Sequence, residues 1–207
     1  GVASTKAFTS QVIVLTLISI WFAQEKEKCL VERKQMITDL RKLHNDIQTI
    51  IKTSVDSIEN LLDIFKEQSS CFVLGKDMGE SVAREGALKI KEISYIHAEG
   101  YSTSSLKHGP FALLQQGFPV IILAPENKWY AKSENAYEEI KSRHASIVFI
   151  TDKPQKNKEN VIYIPNNKTF ADVLCIIPMQ LLAYHLSVSK NINPDMPRNL
   201  AKVVTVE

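Results

Sequence analysis

The chain has 207 residues, of which 44% are hydrophobic, and a net charge of +2 at pH 7. This length predicts one domain with an additional helical segment, and the near-neutral charge argues against nucleic-acid binding. The three cysteines have neither metal-ligand nor CxxC spacing and no secretory signal is present, so we expect reduced thiols and a cytoplasmic location.

The chain begins at Gly1 rather than at a methionine, so we expect a piece of a longer protein. A first helix is predicted to follow the opening loop and to extend to about Cys29, with Ser4 or Thr5 as its N-cap. Residues 7–24 carry no charge but include six polar side chains, which makes them marginal as a membrane span. A buried core helix or a dimer helix is favoured, and no membrane association is expected.

A second helical region is predicted over residues 32–68, where apolar side chains recur at spacings of three and four. Residues 1–68 are therefore interpreted as a helical segment that packs on the following domain or on a partner. Residues 69–190 are predicted to form an α/β domain, and residues 191–207 a C-terminal tail.

Short apolar runs alternate with helical patterns through the predicted domain. The predicted strands are 70–75, 98–101, 119–124, 146–151 and 161–164, and the predicted helices are 85–97, 132–143 and 172–189. Such alternation predicts a parallel, doubly wound α/β sheet flanked by helices and preceded by two long helices. Pro178 is predicted to kink the last helix or to precede its start.

One predicted helix carries a stripe of charged side chains. Glu85, Lys89 and Glu92 are spaced i, i+4 and i+7, so they share one face. Two carboxylates beside an ammonium are suited to proton transfer. The alternative is a solvent-exposed face with an ordinary i,i+4 ion pair.

His108 lies in a polar loop that ends in His-Gly-Pro, after a predicted parallel strand. Loops at the carboxyl ends of parallel strands are where such folds bind ligands. A turn residue without a chemical role is an equally good interpretation of this spacing.

The tail contains Pro194 and Pro197 and is predicted to be irregular, but it is apolar enough to dock on the domain. A docked tail would deliver Lys202 into a pocket. Taken alone, the pattern favours a solvated lysine.

Five segments together closely resemble the C-terminal isomerase region of the glutamine–fructose-6-phosphate aminotransferase family, the glucosamine-6-phosphate synthases. They are residues 1–8, 85–99, 106–110, 178–185 and 197–207. The likeness covers nearly the whole chain and implies a flavodoxin-like sugar-isomerase (SIS) fold with three layers, the second of two SIS subdomains. It also implies a phosphosugar substrate, a role in hexosamine biosynthesis, and no metal or organic cofactor.

The resemblance implies a role for each residue of a catalytic group. Lys202 would form a Schiff base with C2 of fructose 6-phosphate, and Glu92 would move a proton between C1 and C2. Lys89 and Glu85 would support that transfer. His108 would assist ring opening, reaching the site from the neighbouring subunit of a homodimer.

The resemblance also implies contacts with the sugar and parts that lie elsewhere. The backbone at Val2 and Ala201 would lie close to the sugar, with Ser4 on the same loop as Val2. The phosphate-binding loop of the first SIS subdomain and the glutaminase domain have no counterpart in residues 1–207. We therefore expect this chain alone to be inactive or nearly so.

The sequence departs from the family pattern at four positions: Ser104 and Ser105 replace Gly-Glu, Asp77 replaces a glycine and Val203 replaces a serine. None of them removes a group assigned above, although the lost carboxylate changes the charge around His108. A changed sugar preference is one alternative reading. Another is an SIS-type module that binds a sugar phosphate and regulates without catalysis, which would have no need of an iminium-forming lysine.

Overall fold

In the computed structural model, which describes residues 1–203, the apolar runs form a sheet and the helical segments cover it. The helices are α1 (Lys6–Glu25), α2 (Leu30–Thr53), α3 (Val55–Phe65), α4 (Met78–Ser94), α5 (Tyr130–Lys141), α6 (Ala171–Leu174) and α7 (Ile176–Ser189), with 3-10 turns at Ser105–His108 and Pro110–Leu113. The strands are β1 (Ser70–Gly75), β2 (His97–Ser102), β3 (Pro119–Leu123), β4 (Ser146–Thr151) and β5 (Val161–Tyr163).

The five strands pair in parallel in the order β2-β1-β3-β4-β5. This is the strand order of the flavodoxin-like folds, in which ligands bind beyond the carboxyl ends of the strands. The predicted parallel α/β fold is therefore confirmed.

Alternate side chains of the strands face two separate cores. Val73 and Ile121 pack with residues of α2, α3, α4 and α7, whereas Phe72 and Phe149 pack with residues of α5 on the opposite face. Because both faces are covered, the strands are apolar throughout, as parallel strands usually are. The result is the three-layer arrangement expected from the sequence.

Two predicted helices are interrupted in the structure. The helix predicted at 32–68 is broken at Ser54, and the break lets α3 direct Ile58, Leu61 and Phe65 into the core. The predicted kink or restart at Pro178 is wrong. The break falls at Cys175, and proline is tolerated in the first turn of α7 because backbone N–H groups there have no partner within the helix.

The helix predicted at 85–97 begins earlier and ends earlier, at Met78 and Ser94. It ends because Tyr95 adopts a left-handed conformation with φ of 60°, which stops helical hydrogen bonding. The chain then enters β2 at His97, which the sequence had placed in the helix.

Helix α1 is apolar but exposed, and its one buried residue is Ile20. By length and composition, α1 and the segment Ala171–Ser189 are both apolar enough to cross a membrane, with 6% and 61% of their apolar windows buried. Buried core helices meet the same criterion, so it is weak evidence. The described residues do not bury α1, and its role as a dimer helix stays a prediction.

Buried polar contacts attach α2 to the segment after β5. Asp39, which is 1% exposed, accepts hydrogen bonds from the backbone and hydroxyl of Thr169 at 3.1 and 2.6 Å. Asn167 donates to the Asp39 carbonyl at 3.1 Å. Burial alone raises the pKa of Asp39, but hydrogen bonds from Thr169 and Gln35 outweigh it, so the net shift is downward.

Candidate functional site

The charged stripe of α4 is a compact ion cluster. Lys89 Nζ lies 2.7 Å from Glu92 Oε2 and 3.4 Å from Glu85 Oε1. The Lys89 side chain is only 2% exposed, whereas Glu85 and Glu92 are 19% and 22% exposed. A buried ammonium between two carboxylates that remain open to solvent does not fit an ordinary solvated helix face.

The cluster has the charge and access that proton transfer needs. Burying an unpaired ammonium costs several kcal/mol, because the charge loses its hydration. Lys89 therefore depends on its two carboxylate partners. The cluster carries two negative charges and one positive charge, and the Glu92 carboxylate is accessible from outside. A carboxylate that is both ion-paired and accessible is chemically able to take up and return a proton.

A close approach of two helices holds α4 in place. A Cβ atom at Gly86 would lie 2.8 Å from Cε of Met179 on α7, so only glycine permits this packing without a shift. Gly86 and Lys89 are three positions apart and share a helix face. Both residues are buried.

The C-terminal tail lies against the N-terminal loop. Lys202 Nζ donates to the Val2 carbonyl at 3.4 Å. The structure thus places the Lys202 amine beside Val2, and the family resemblance assigns both residues to the sugar site. Lys202, Ala201 and Ser4 are all exposed.

His108 lies apart from the other predicted residues. It is the exposed last residue of the turn Ser105–His108, and Gly109 follows with φ of 138°. Among the described residues, no hydrogen bond or ion pair joins His108 or Lys202 to the α4 cluster. The structure therefore forms two groups, one on α4 and one at the termini, and leaves His108 in neither.

Two residues that sequence reasoning missed connect α4 to the tail. The Arg198 backbone N–H donates to the Tyr95 hydroxyl at 2.7 Å, and the Arg198 guanidinium lies 4.3 Å from the centre of the Tyr95 ring. Tyr95 follows the last residue of α4 directly. No local pattern could have paired two residues so far apart in the chain.

The residues that depart from the family pattern differ in their contacts and exposure. Asp77 has φ of 57°, a conformation that glycine adopts more easily, and its carboxylate accepts a hydrogen bond from Trp129 Nε1 at 3.0 Å. The Ser104 hydroxyl accepts from Lys76 Nζ at 2.7 Å. Ser105 and Val203 are exposed.

The pKa of Asp172, an acidic side chain repelled by Asp77, is shifted upward. Burial, together with repulsion by Asp77 and Asp152, raises the pKa of Asp172 from 3.8 to about 6. Within residues 1–203, no three histidine, cysteine or acidic side chains cluster in a way that could hold a metal ion.

The parallel strand order, with an ion cluster on a helix beside the sheet, defines a flavodoxin-like α/β protein. The chain belongs to the SIS domain family, whose model matches residues 64–190.

Comparison with curated proteins gives relatives over the full chain. A protein of Acanthamoeba polyphaga mimivirus named "Probable glutamine–fructose-6-phosphate aminotransferase [isomerizing]" is 49% identical over 212 aligned residues. The glutamine–fructose-6-phosphate aminotransferases of Methanosarcina acetivorans and Rattus norvegicus are 40% and 38% identical. The chain is covered completely in each case but spans only 31–34% of the relatives, about a third of their length.

Solved structures show the same likeness. The C-terminal domain of glucosamine-fructose-6-phosphate aminotransferase from Francisella tularensis superposes with a TM-score of 0.88 at 31% identity, over 95% of this chain and 57% of that one. A glucosamine-6-phosphate deaminase from Thermotoga maritima has a TM-score of 0.67 at 22% identity, over 98% of this chain and 57% of that one, and shows the fold alone.

Proposed function

We propose that this chain is the second SIS subdomain of a glutamine–fructose-6-phosphate aminotransferase. The full protein would convert fructose 6-phosphate and glutamine to glucosamine 6-phosphate and glutamate, an entry reaction of hexosamine biosynthesis. The observation that carries the proposal is the buried Lys89 between Glu85 and Glu92, in a chain whose relatives bear that enzyme's name.

The proposed chemistry begins with activation of the ketose. His108 assists opening of the sugar ring, and the Lys202 amine attacks C2 and expels water to form an iminium. Ammonia then displaces the lysine, which leaves an imine at C2. Glu92 removes a proton from C1, which gives an enaminol, and returns it to C2. The C1 hydroxyl releases its proton and the nitrogen gains one, so C1 becomes the aldehyde and the imine becomes the amine.

The α4 cluster supports this proton transfer in two ways. The ion pair to Lys89 at 2.7 Å holds the Glu92 carboxylate in one orientation, which favours a defined transfer geometry. Glu85, 3.4 Å from the same ammonium, provides the second partner that a buried lysine needs. The backbone at Val2 and Ala201, with Ser4 nearby, would line the sugar.

The proposed enzyme needs parts that this chain does not supply. A first SIS subdomain would hold the sugar phosphate and a glutaminase domain would release ammonia, since the chain spans about a third of its relatives. The chain by itself is expected to be inactive or nearly so. We place the protein in the cytoplasm, because Cys29, Cys71 and Cys175 are all free thiols.

We also propose a homodimer in which His108 serves the site of the neighbouring subunit. The support is geometric: His108 is exposed on a turn and contacts neither group of proposed site residues within residues 1–203. A side chain contributed in trans would be left free in this way in a single subunit.

The substitution Glu92→Gln in the full-length protein tests the proposed role of the carboxylate. It keeps the size and hydrogen-bonding reach of the side chain but removes the base, so the turnover number should fall by about 10²–10⁴-fold while fructose 6-phosphate still binds. Steady-state assay of glucosamine 6-phosphate, together with calorimetric binding of the sugar, measures both quantities.

Glu80→Gln is the matched control. Glu80 lies on the same helix, five residues before Glu85, and pairs with Arg84 at 2.8 Å rather than with Lys89. Its replacement should leave turnover within about twofold, because it removes no group of the cluster. Unchanged turnover in Glu92→Gln contradicts the assignment.

A regulatory sugar-phosphate-binding module is the second candidate. The observation that favours it is the exposed Lys202, whose amine contacts the Val2 carbonyl rather than the α4 cluster. Such a module would bind the phosphosugar reversibly and form no covalent bond to Lys202.

A further inference from the structure

The tail that carries Lys202 is tied to the domain by a small set of contacts. Pro197 is buried. Arg198 then makes two contacts with Tyr95, a backbone hydrogen bond of 2.7 Å and a guanidinium placed 4.3 Å from the ring centre. The pair of Tyr95 and Arg198 is called the tail clasp below.

The backbone at Tyr95 is held in an unusual conformation. Its φ of 60° lies in the left-handed region, where residues with a Cβ atom are uncommon and bulky ones more so. A residue kept there by its surroundings often has a functional role, and the inference runs from the observed outlier to that role. In this chain the conformation ends α4 and presents the Tyr95 ring and hydroxyl to the tail.

The clasp lies between the two groups of proposed site residues. Tyr95 follows Glu92 by three positions, a rise of about 4.5 Å along a helix. Lys202 follows Arg198 by four positions, at most about 14 Å of extended chain. Fixing Arg198 on Tyr95 therefore limits how far the Lys202 amine can move from the Glu92 carboxylate.

We propose that Tyr95 is a positioning residue, which through the tail clasp sets the place of Lys202 relative to Glu92. This inference rests on the proposed function, because only a Schiff-base lysine needs such placement. Tyr95 touches no reacting atom. It acts on the chemical step, in which a displacement of about 1 Å can cost on the order of 100-fold in rate.

Tyr95→Phe in the full-length protein separates the hydroxyl from the ring. The ring and its contact with the guanidinium stay, and the acceptor for the Arg198 N–H is lost. The turnover number should fall by about tenfold or more, while KM for fructose 6-phosphate stays within about twofold, because binding through the phosphate and sugar is unchanged. A merely structural role would lower the melting temperature without this split between kcat and KM.

Tyr163→Phe is a matched control. The Tyr163 hydroxyl also accepts a backbone N–H, from Gln155 at 3.0 Å, but it lies on β5 away from the tail. Both variants lose the acceptor of one backbone N–H, and Tyr163→Phe also loses a donation to the Gln155 carbonyl at 3.4 Å, so its loss of stability should be at least as large. Only Tyr95→Phe should lose turnover.

A second measurement reports on the clasp without any activity. Trypsin cleaves after Arg198, and the clasp should protect that bond. Cleavage there, followed by mass spectrometry under native conditions, should be several-fold faster in Tyr95→Phe than in the unmodified protein or in Tyr163→Phe.

The outcomes separate this inference from the proposed function. Equal cleavage rates in all three proteins overturn the clasp. Faster cleavage with unchanged turnover overturns the positioning role and leaves the proposed function standing. If the unmodified protein forms no glucosamine 6-phosphate, the proposed function fails and the positioning role falls with it, whatever the cleavage shows.

Discussion

Lys89 shows how one residue changes the interpretation of a helix face. Its ammonium is almost fully buried, 2.7 Å from one carboxylate and 3.4 Å from another. An exposed i,i+4 pair would contribute a few tenths of a kcal/mol and carry no functional information. A buried lysine with two partners is a polar network inside the protein, and such networks are concentrated at functional sites.

Asp172 gives a prediction about pH. Burial, with Asp77 and Asp152, raises its pKa from 3.8 to about 6, so between those values the folded state holds a proton that the unfolded state has lost. Stability contributed by this group therefore falls as pH rises from about 4 to about 6. Asp172→Asn should stabilise the protein by about 1–3 kcal/mol at pH 8 and by much less at pH 4.

Urea unfolding at the two pH values measures this difference. Asp56→Asn is a suitable control, because Asp56 is an exposed aspartate in the first turn of another helix, α3. Its effect should not change between pH 4 and pH 8 in the same way. An Asp172→Asn variant that is less stable at pH 8 contradicts the account.

At the scale of elements, α2 is predicted to depend on Asp39. This carboxylate is buried and accepts the backbone and hydroxyl hydrogen bonds of Thr169. Asp39→Ala leaves those donors without a partner, so the free energy of unfolding should fall by about 2–4 kcal/mol. Urea unfolding measures it, with the exposed Asp63→Ala on α3 as control. A loss below about 0.5 kcal/mol, the range of ordinary surface changes, contradicts the prediction.

The ends of α4 show which elements sequence could predict. The strands β1, β3 and β4 were predicted almost to the residue, because a continuous apolar run such as Ser-Cys-Phe-Val-Leu-Gly is typical of a strand buried on both faces. The start of α4 was missed because Gly79 looked like part of a turn. In the structure, a Cβ atom at Gly75 would lie 2.0 Å from the Gly79 carbonyl oxygen, so these glycines serve close packing. The end was missed because Tyr95 is not a residue that usually adopts a left-handed conformation.

The candidate site was predictable to different extents. Helical periodicity alone placed Glu85, Lys89 and Glu92 on one face, and the structure brings them together. The approach of Lys202 to Val2 joins the two ends of the chain, and only the family resemblance indicated it. Periodicity reports neighbours within an element, whereas contacts between distant segments depend on the whole fold.

At the scale of the whole molecule, we propose that two subunits share each active site. Inactive His108→Ala and Lys202→Ala chains, co-expressed as full-length proteins, should form mixed dimers with one intact site. Random pairing in a two-fold dimer would then restore about a quarter of the normal activity. The same two substitutions placed in one chain, mixed with unmodified chain, serve as the control for expression and pairing. Activity that stays at the level of the single variants contradicts a histidine supplied in trans.

The exposed apolar face of α1 is a second feature that concerns the whole molecule. Val14, Leu17, Ile18, Trp21 and Phe22 are large apolar side chains left exposed on it. Apolar surface of this kind is usually covered by another part of a protein or by a partner. The chain spans about a third of its relatives, and the proposed first subdomain and neighbouring subunit are the surfaces that would cover it.

Reductive trapping tests the central proposal most directly. The full-length protein is incubated with fructose 6-phosphate and borohydride, and the modified peptide is identified by mass spectrometry. An iminium between C2 and the Lys202 amine would be reduced to a stable secondary amine, so the account predicts one sugar-phosphate adduct on Lys202 and none in a Lys202→Arg variant. An unmodified Lys202 in protein that still binds fructose 6-phosphate would contradict the enzyme assignment and favour the regulatory module.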